Sequence, residues 1–264
     1  MILASQFKRF FRAALLSTVA LAWQGSAFAG PIAIQAPTGL HAGDQFRIIY
    51  VTPDKISAVS TDITTYDNFV NTEAAGATYN GQTIHWSAVG STNAVDAKSH
   101  IGITNTAVYM ANGTEVAVSD GNTVANSLWY GGDLVAQPTQ DLAGNSYTSG
   151  FVWTGTSGIG TTYNTNVVGQ GTVYWGLGAT NNVTENGVTY IDNVEVGNLH
   201  TTVGGYDWIS LGFANGLEPK SLTYQVYGIS DVLTVLPVPE PSTLLISGLG
   251  VLAIGVAQRF RKKN

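Results

Sequence analysis

Residues 107–118 read AVYMANGTEVAV. Two runs of alternating apolar residues flank Asn112-Gly113, a pair that readily adopts the positive φ angles of a tight hairpin turn. The stretch therefore predicts two antiparallel strands. VTENGVTYI (183–191) repeats the arrangement around Asn186-Gly187. Further strand candidates are residues 46–51, 151–154, 173–177, 207–213 and 222–229, with a short one inside IHWSAVGS (84–91). The chain holds 31 glycines and is rich in Thr, Asn, Val and Tyr, a composition that suits pleated sheet joined by turns.

Two stretches break the β pattern. STDITTYDNFVNTEAAG (60–76) places Ile63, Tyr66, Phe69, Val70 and Ala74 on one helical face. Ser60 to Asp62 offer caps and Gly76 a stop. TNAVDAKSHIG (92–102) predicts a shorter helix, capped by Thr92 or Asn93 and ending near Gly102. The predicted class is a single α+β, β-rich domain over residues 30–236, with an all-β jelly-roll sandwich as the alternative. Its strand–helix–strand–helix order, together with AVYMANGTEVA, LWYGG (128–132) and GFVWTGT (150–156), resembles the C-type-lectin-like and endostatin-like domains. The resemblance implies a fold and no sugar site. The disulfides and the Glu-Pro-Asn and Trp-Asn-Asp motifs of sugar-binding members are absent, and LEPK (217–220) and DWIS (207–210) are partial echoes.

The chain ends carry a different kind of information. Lys8, Arg9 and Arg12 precede the apolar run 13–23, followed by Ala27-Phe28-Ala29. Basic, apolar and small-residue regions in that order predict a secretory signal peptide over 1–29, cleaved after Ala29. Residues 242–257 are uncharged and would cover about 24 Å as a helix, short of a roughly 30 Å hydrocarbon core. A marginal membrane helix of this kind suits temporary insertion in the inner membrane. Arg259, Arg261, Lys262 and Lys263 would hold its end on the cytoplasmic side. Directly before it stands Pro239-Glu240-Pro241, which lacks two amide donors and stays extended.

Motif, span and basic cluster in this order resemble the PEP-CTERM sorting signal of exported bacterial proteins, over residues 237–264. The resemblance implies a membrane processing enzyme, exosortase, as partner, acting near Pro239, Glu240 and Pro241. It also implies a setting of exopolysaccharide and biofilm. An ordinary single-span tail anchor is the alternative.

Without its ends the chain keeps four basic residues, Arg47, Lys55, Lys98 and Lys220, against sixteen acidic ones, a formal net charge of −12. Nucleic acid and anionic lipid are therefore disfavoured as partners of the exported part. There is no cysteine, which removes disulfides, thiol catalysis and thiolate metal sites.

Motifs for catalysis are missing. His41, His85, His100 and His200 are scattered, no H-E-x-x-H or G-x-S-x-G occurs, and the Gly-rich GTSGIGTTY (155–163) lacks a phosphate-loop lysine. Asp192, Asn193 and Glu195 in IDNVEV (191–196) form the best local oxygen cluster for Ca²⁺ as a cofactor; the alternative is a turn with a solvated acidic face. Trp86, Trp129, Tyr130, Trp153, Tyr163, Tyr174, Trp175, Tyr206 and Trp208 are candidates either for stacking on sugars or for the core. The expectation is a non-enzymatic, exported protein of the cell envelope or extracellular matrix, structural or adhesive and in contact with exopolysaccharide. A carbohydrate-binding module or carbohydrate-active enzyme is the alternative.

Overall fold

The structure, a computed structural model, describes residues 32–237 except 123, 130–132, 186, 200–204 and 214. In chain order its strands are β1 (Ala33–Ile34), β2 (Gln45–Val51), β3 (Ile56–Ser57), β4 (Thr78–Tyr79), β5 (Gln82–Thr83), β6 (Trp86–Ala88), β7 (Ala107–Tyr109), β8 (Glu115–Ala117), β9 (Phe151–Trp153), β10 (Asn164–Val167), β11 (Gly171–Tyr174), β12 (Asn182–Glu185), β13 (Val188–Ile191), β14 (Asn193–Asn198), β15 (Leu217–Pro219), β16 (Thr223–Ser230) and β17 (Leu233–Thr234). The helices are α1 (Ile63–Glu73) and α2 (Ala97–Ile101).

Ten of these strands form one mixed sheet, in the order β15-β14-β9-β16-β2-β7-β8, with β17 added to β2 and with β3 and β6 added to β16, while β1-β4-β5, β10-β11 and β12-β13 form small sheets of their own. Successive side chains of a strand point to opposite faces, so a strand covered on both faces needs a continuous apolar run. Strand β2, QFRIIYV, has that run over Ile48 to Val51, with Phe46 before it and the buried Arg47 as the one polar interruption. Phe46, Ile48 and Tyr50 enter one core with Tyr66, Val70 and Ala74 of the first helix and its end. Ile49 and Val51 enter a second core with Ala97 and Ile101 of α2, Trp129 and Trp208. Strand β16 divides in the same way, Val226 to the first core and Tyr227 and Ile229 to the second. Both cores share the sheet, and the described residues form one β-rich domain. Parallel pairs β2–β7 and β9–β16 and the two helices distinguish it from the antiparallel jelly-roll sandwich.

Local chemistry explains the elements. Helix α1 starts as predicted because the Asp62 carboxylate accepts the Thr64 N–H at 3.0 Å, satisfying one of the free amides of the first turn. Helix α2 is shorter than predicted and its N-cap position is Asp96. Thr92 instead accepts the amides of Ala94 and Val95 in a preceding turn, and Asp96 turns outward to accept the Thr162 amide at 2.6 Å.

Both predicted hairpins form. Around Gly113 the loop has three residues: the Gly113 N–H bonds Met110 O, the Met110 N–H bonds Thr114 O, and Gly113 has φ +86°. This is a type I turn closed by a left-handed bulge residue. A third hairpin, unforeseen, joins β4 to β5 through Asn80-Gly81, with φ of 51° and 77°.

Two strand predictions need correction. Strand β11 ends at Tyr174, because Trp175 turns inward to a third, smaller core with Val167 and Val183, and beyond it Leu177 makes an isolated parallel bridge to Thr92. The segment 207–213 is no strand. The amides of Ile209 and Ser210 both bond Tyr206 O, and the apolar pattern reflects a buried crossing in which Trp208 and Ile209 fill the second core.

Two close contacts tie the fold together. Gly228 of β16 faces Tyr50, where a β-carbon would lie 2.4 Å from the ring. Arg47, buried on β2, donates to Ser230 O at 2.7 Å, Gly102 O at 3.1 Å and the Asp120 carboxylate at 3.0 Å. Asp120 is in turn satisfied by Thr104 and the Thr106 amide. No helix among the described residues is long and apolar enough to cross a membrane. The predicted signal peptide and the predicted membrane helix lie outside them.

Candidate functional site

The predicted processing residues Ala27, Ala29, Pro239, Glu240 and Pro241 lie outside the described residues, as do Arg259, Arg261, Lys262 and Lys263. Their point of departure from the domain is described. Strand β17 pairs with the start of β2, Leu233 opposite Phe46 and Thr234 opposite Gln45. Val235 extends that ladder through bonds between its amide and Asp44 O and between the Gly43 amide and its own carbonyl, both 2.9 Å. There the ladder stops. Leu236 is 56 % exposed, and Pro237 has no amide to donate.

The other end arrives beside it. Ile32 accepts the Thr78 amide at 2.8 Å, β1 runs parallel to β4, and Ile32, Ile34, Leu233 and Val235 pack into the same core. Two adjoining cavities open at this pole. One, about 300 Å³, lies between Gln82–Thr83–Ile84 and residues 232–236. The second, about 370 Å³, is bounded by residues 33–36, the Asn80-Gly81 turn, Val235 and Leu236. Tyr79, Asn80 and Leu236 line both.

The Ca²⁺ candidates are committed to separate partners. The Asp192 carboxylate is 3.3 Å from Lys220 Nζ, and the Asn193 side chain donates to Leu217 O at 3.1 Å. Glu195 belongs to β14 and is fully buried, whereas Asp192 stands partly exposed in the turn before that strand, with φ 53°. Glu195 Oε1 accepts Ser210 Oγ–H at 2.8 Å and Gly212 N–H at 2.7 Å, while its Oε2 has no hydrogen-bond partner. Burial pushes its pKa up to about 8 against the opposing effect of the Ser210, Gly212 and Leu211 hydrogen bonds. Among the described residues no group of three or more His, Asp or Glu side chains converges as a metal site.

Of the aromatic candidates, Trp86, Trp129, Trp153, Trp175 and Trp208 are buried and belong to the cores. Tyr163 is half-buried, its phenol accepting the Phe213 amide at 2.7 Å, and Tyr130 lies outside the described residues. Tyr174 and Tyr206 are exposed. Tyr174 stands opposite Asn164 on the hairpin β10–β11, with the pair Asn166–Thr172 two positions along the same face.

His41 and His85 are exposed, and His200 is outside the described residues. His100 Nε2 lies 2.8 Å from Asp67 Oδ1, which also accepts the Ala88 amide, a contact that locks α1 to α2 and β6. Neither residue borders the two polar cavities. The echoes LEPK and DWIS fall on β15 and its end and on the buried crossing.

No curated protein matches the chain. Residues 237–262 match the PEP-CTERM protein-sorting motif. The match begins at Pro237, three residues after the last strand, so the signal follows the folded domain with almost no intervening linker. The motif is the recognition signal of exosortase, and it implies export through the envelope. The protein is thus one that bears a PEP-CTERM sorting signal at the pole where its domain ends.

Proposed function

We propose that the chain is a non-enzymatic component of the cell envelope or extracellular matrix. It is exported by a cleaved signal peptide, held briefly in the inner membrane and released by processing near Pro239-Glu240-Pro241. The sorting motif over 237–262 carries this proposal. The head is a structural or adhesive module in contact with exopolysaccharide. Intact-mass measurement of the mature species recovered from cells tests the processing. The expected product lacks residues 1–29 and Phe260 to Asn264; a mature species that retains Phe260 to Asn264 overturns it.

A second reading, a lectin-like glycan binder, is favoured by the uncharged outer face of β10–β11. There an exposed Tyr174 ring stands with Asn164, Asn166 and Thr172, which offer a stacking surface and amide and hydroxyl groups. A glycan array of the purified head, with Tyr174→Ala as the comparison, separates binder from scaffold. Release of reducing sugar by the head, lost on changing one carboxylate, would replace both readings with an enzyme.

A further inference from the structure

We propose that the pole formed by the β4–β5 hairpin, β1 and Leu236 is the surface on which the membrane processing enzyme seats the folded head while it acts on the tail. This rests on the processing proposed above and adds a surface to it.

Chain length supplies the first reason. Glu240 follows Pro237 by three residues, which reach about 10 Å when fully extended. Even a 100-residue folded domain has a radius of gyration of about 13 Å. An enzyme engaged on the Pro-Glu-Pro segment is therefore brought against whatever borders the tail's exit. Those borders are the exposed residues Asn80, Gly81, Gln82 and Thr83 on one side and the turn 41–44, with His41 and Asp44, on the other, where Gly43 and Asp44 bond Val235. The other end of the exported chain emerges there as well, since residues 33–36 share a cavity with Val235 and Leu236.

Charge supplies the second. The exported part carries a formal net charge of −12, yet every residue lining the two cavities is uncharged. An uncharged groove on an acidic body, with Asp44 and Asp231 only at its margin, is the part that can approach another protein at an anionic membrane with the least desolvation of carboxylates and the least repulsion.

Shape supplies the third. The groove is pinned at one end by the Asp231 amide bonded to His85 O at 3.0 Å and continues toward Leu236. Among the described residues β5 pairs only with β4, and β17 only with β2, so each strand has a second edge that no strand covers. The Asn80-Gly81 turn, with both φ angles positive, holds the hairpin in one shape. A rigid, neutral, concave surface fits a protein partner better than bare lipid.

Charge placed on the hairpin tests the seat. Gln82→Glu with Thr83→Asp changes two exposed positions, and the melting temperature of the purified head checks that the fold is kept. Pulse-chase of the full-length precursor in cells is expected to show conversion slowed at least fivefold. A twelve-residue Gly/Ser insertion between Leu236 and Pro237, spanning roughly 20 Å, frees the enzyme from the pole. It should bring the charged variant within twofold of the equally lengthened wild type. Conversion of the charged variant at the wild-type rate overturns the seat, as does slowing that the insertion leaves unchanged. A photo-crosslinker at Thr83 of the precursor should capture the tagged processing enzyme; crosslinks to lipid alone would also overturn it. Absence of any conversion of the wild type would instead sink the processing on which the seat rests.

Discussion

Glu195 is held by one oxygen and unpartnered at the other, in the middle of a strand buried on both faces. Its carboxyl keeps a proton in the folded state up to about pH 8, whereas an ordinary glutamate releases it near 4.5. Between those values the folded state binds the proton and the unfolded chain does not. Stability is therefore greatest below about pH 4.5 as far as this group is concerned, and it falls as pH rises to about 8, by at most about 1.4 kcal/mol per unit. Glu195→Gln, which keeps the shape and removes the charge, should flatten this dependence and raise the melting temperature at pH 9. Thermal melts at pH 5, 7 and 9 check it, and a variant less stable than wild type at pH 9 would contradict the assignment. The sequence did not reveal this group. IDNVEV reads as an acidic turn because two acids and an asparagine stand together, and only the neighbouring strands show that β14 is covered on both sides.

At the scale of elements, most of the fold was legible where contiguous residues determine the outcome. The Asn-Gly hairpins follow from backbone freedom, and α1 follows from its apolar face and its cap. Asp62→Ala removes the bond to the Thr64 amide and should cost about 1 kcal/mol. In a domain of this size that corresponds to a fall of roughly 2–4 °C in melting temperature.

Gly228 could not be predicted in this way. Nothing in Leu222 to Ile229 announces that a tyrosine from a strand nearly 180 positions earlier will lie across it. Gly228→Ala should cost about 1–3 kcal/mol through overpacking against Tyr50. A fall larger than that of Asp62→Ala, measured by the same melts, is the expected order. The segment 207–213 failed for a related reason: an apolar run reports burial, and a loop crossing a strand can be as buried as the strand itself.

For the whole molecule, the balance of charge is the dominant long-range term. Sixteen acids against four basic residues in the exported part make the compact state repel itself, and two of the four cations, Arg47 and Lys220, already pair with Asp120 and Asp192. Salt shortens the reach of that repulsion to about 3 Å at 1 M. The melting temperature of the purified head should therefore rise between 10 mM and 0.5 M NaCl, by a few degrees. A fall over that range would show that the surface ion pairs outweigh the repulsion.

The sequence by itself determined the handling of the protein and its local elements: the sorting motif at 237–262, the hairpin turns, the capped helix and the absence of disulfides. The motif, the turns and the cap rest on residues adjacent in the chain, and turn geometry and capping act over a few positions. Tertiary structure alone decided the strand order, the burial of Glu195, the division of β2 between two cores and the meeting of the described domain's two ends at one pole. Those depend on partners far apart in sequence, as Arg47 and Ser230 are, 183 positions from each other, and pairing at that range is set by the packing of the whole sheet.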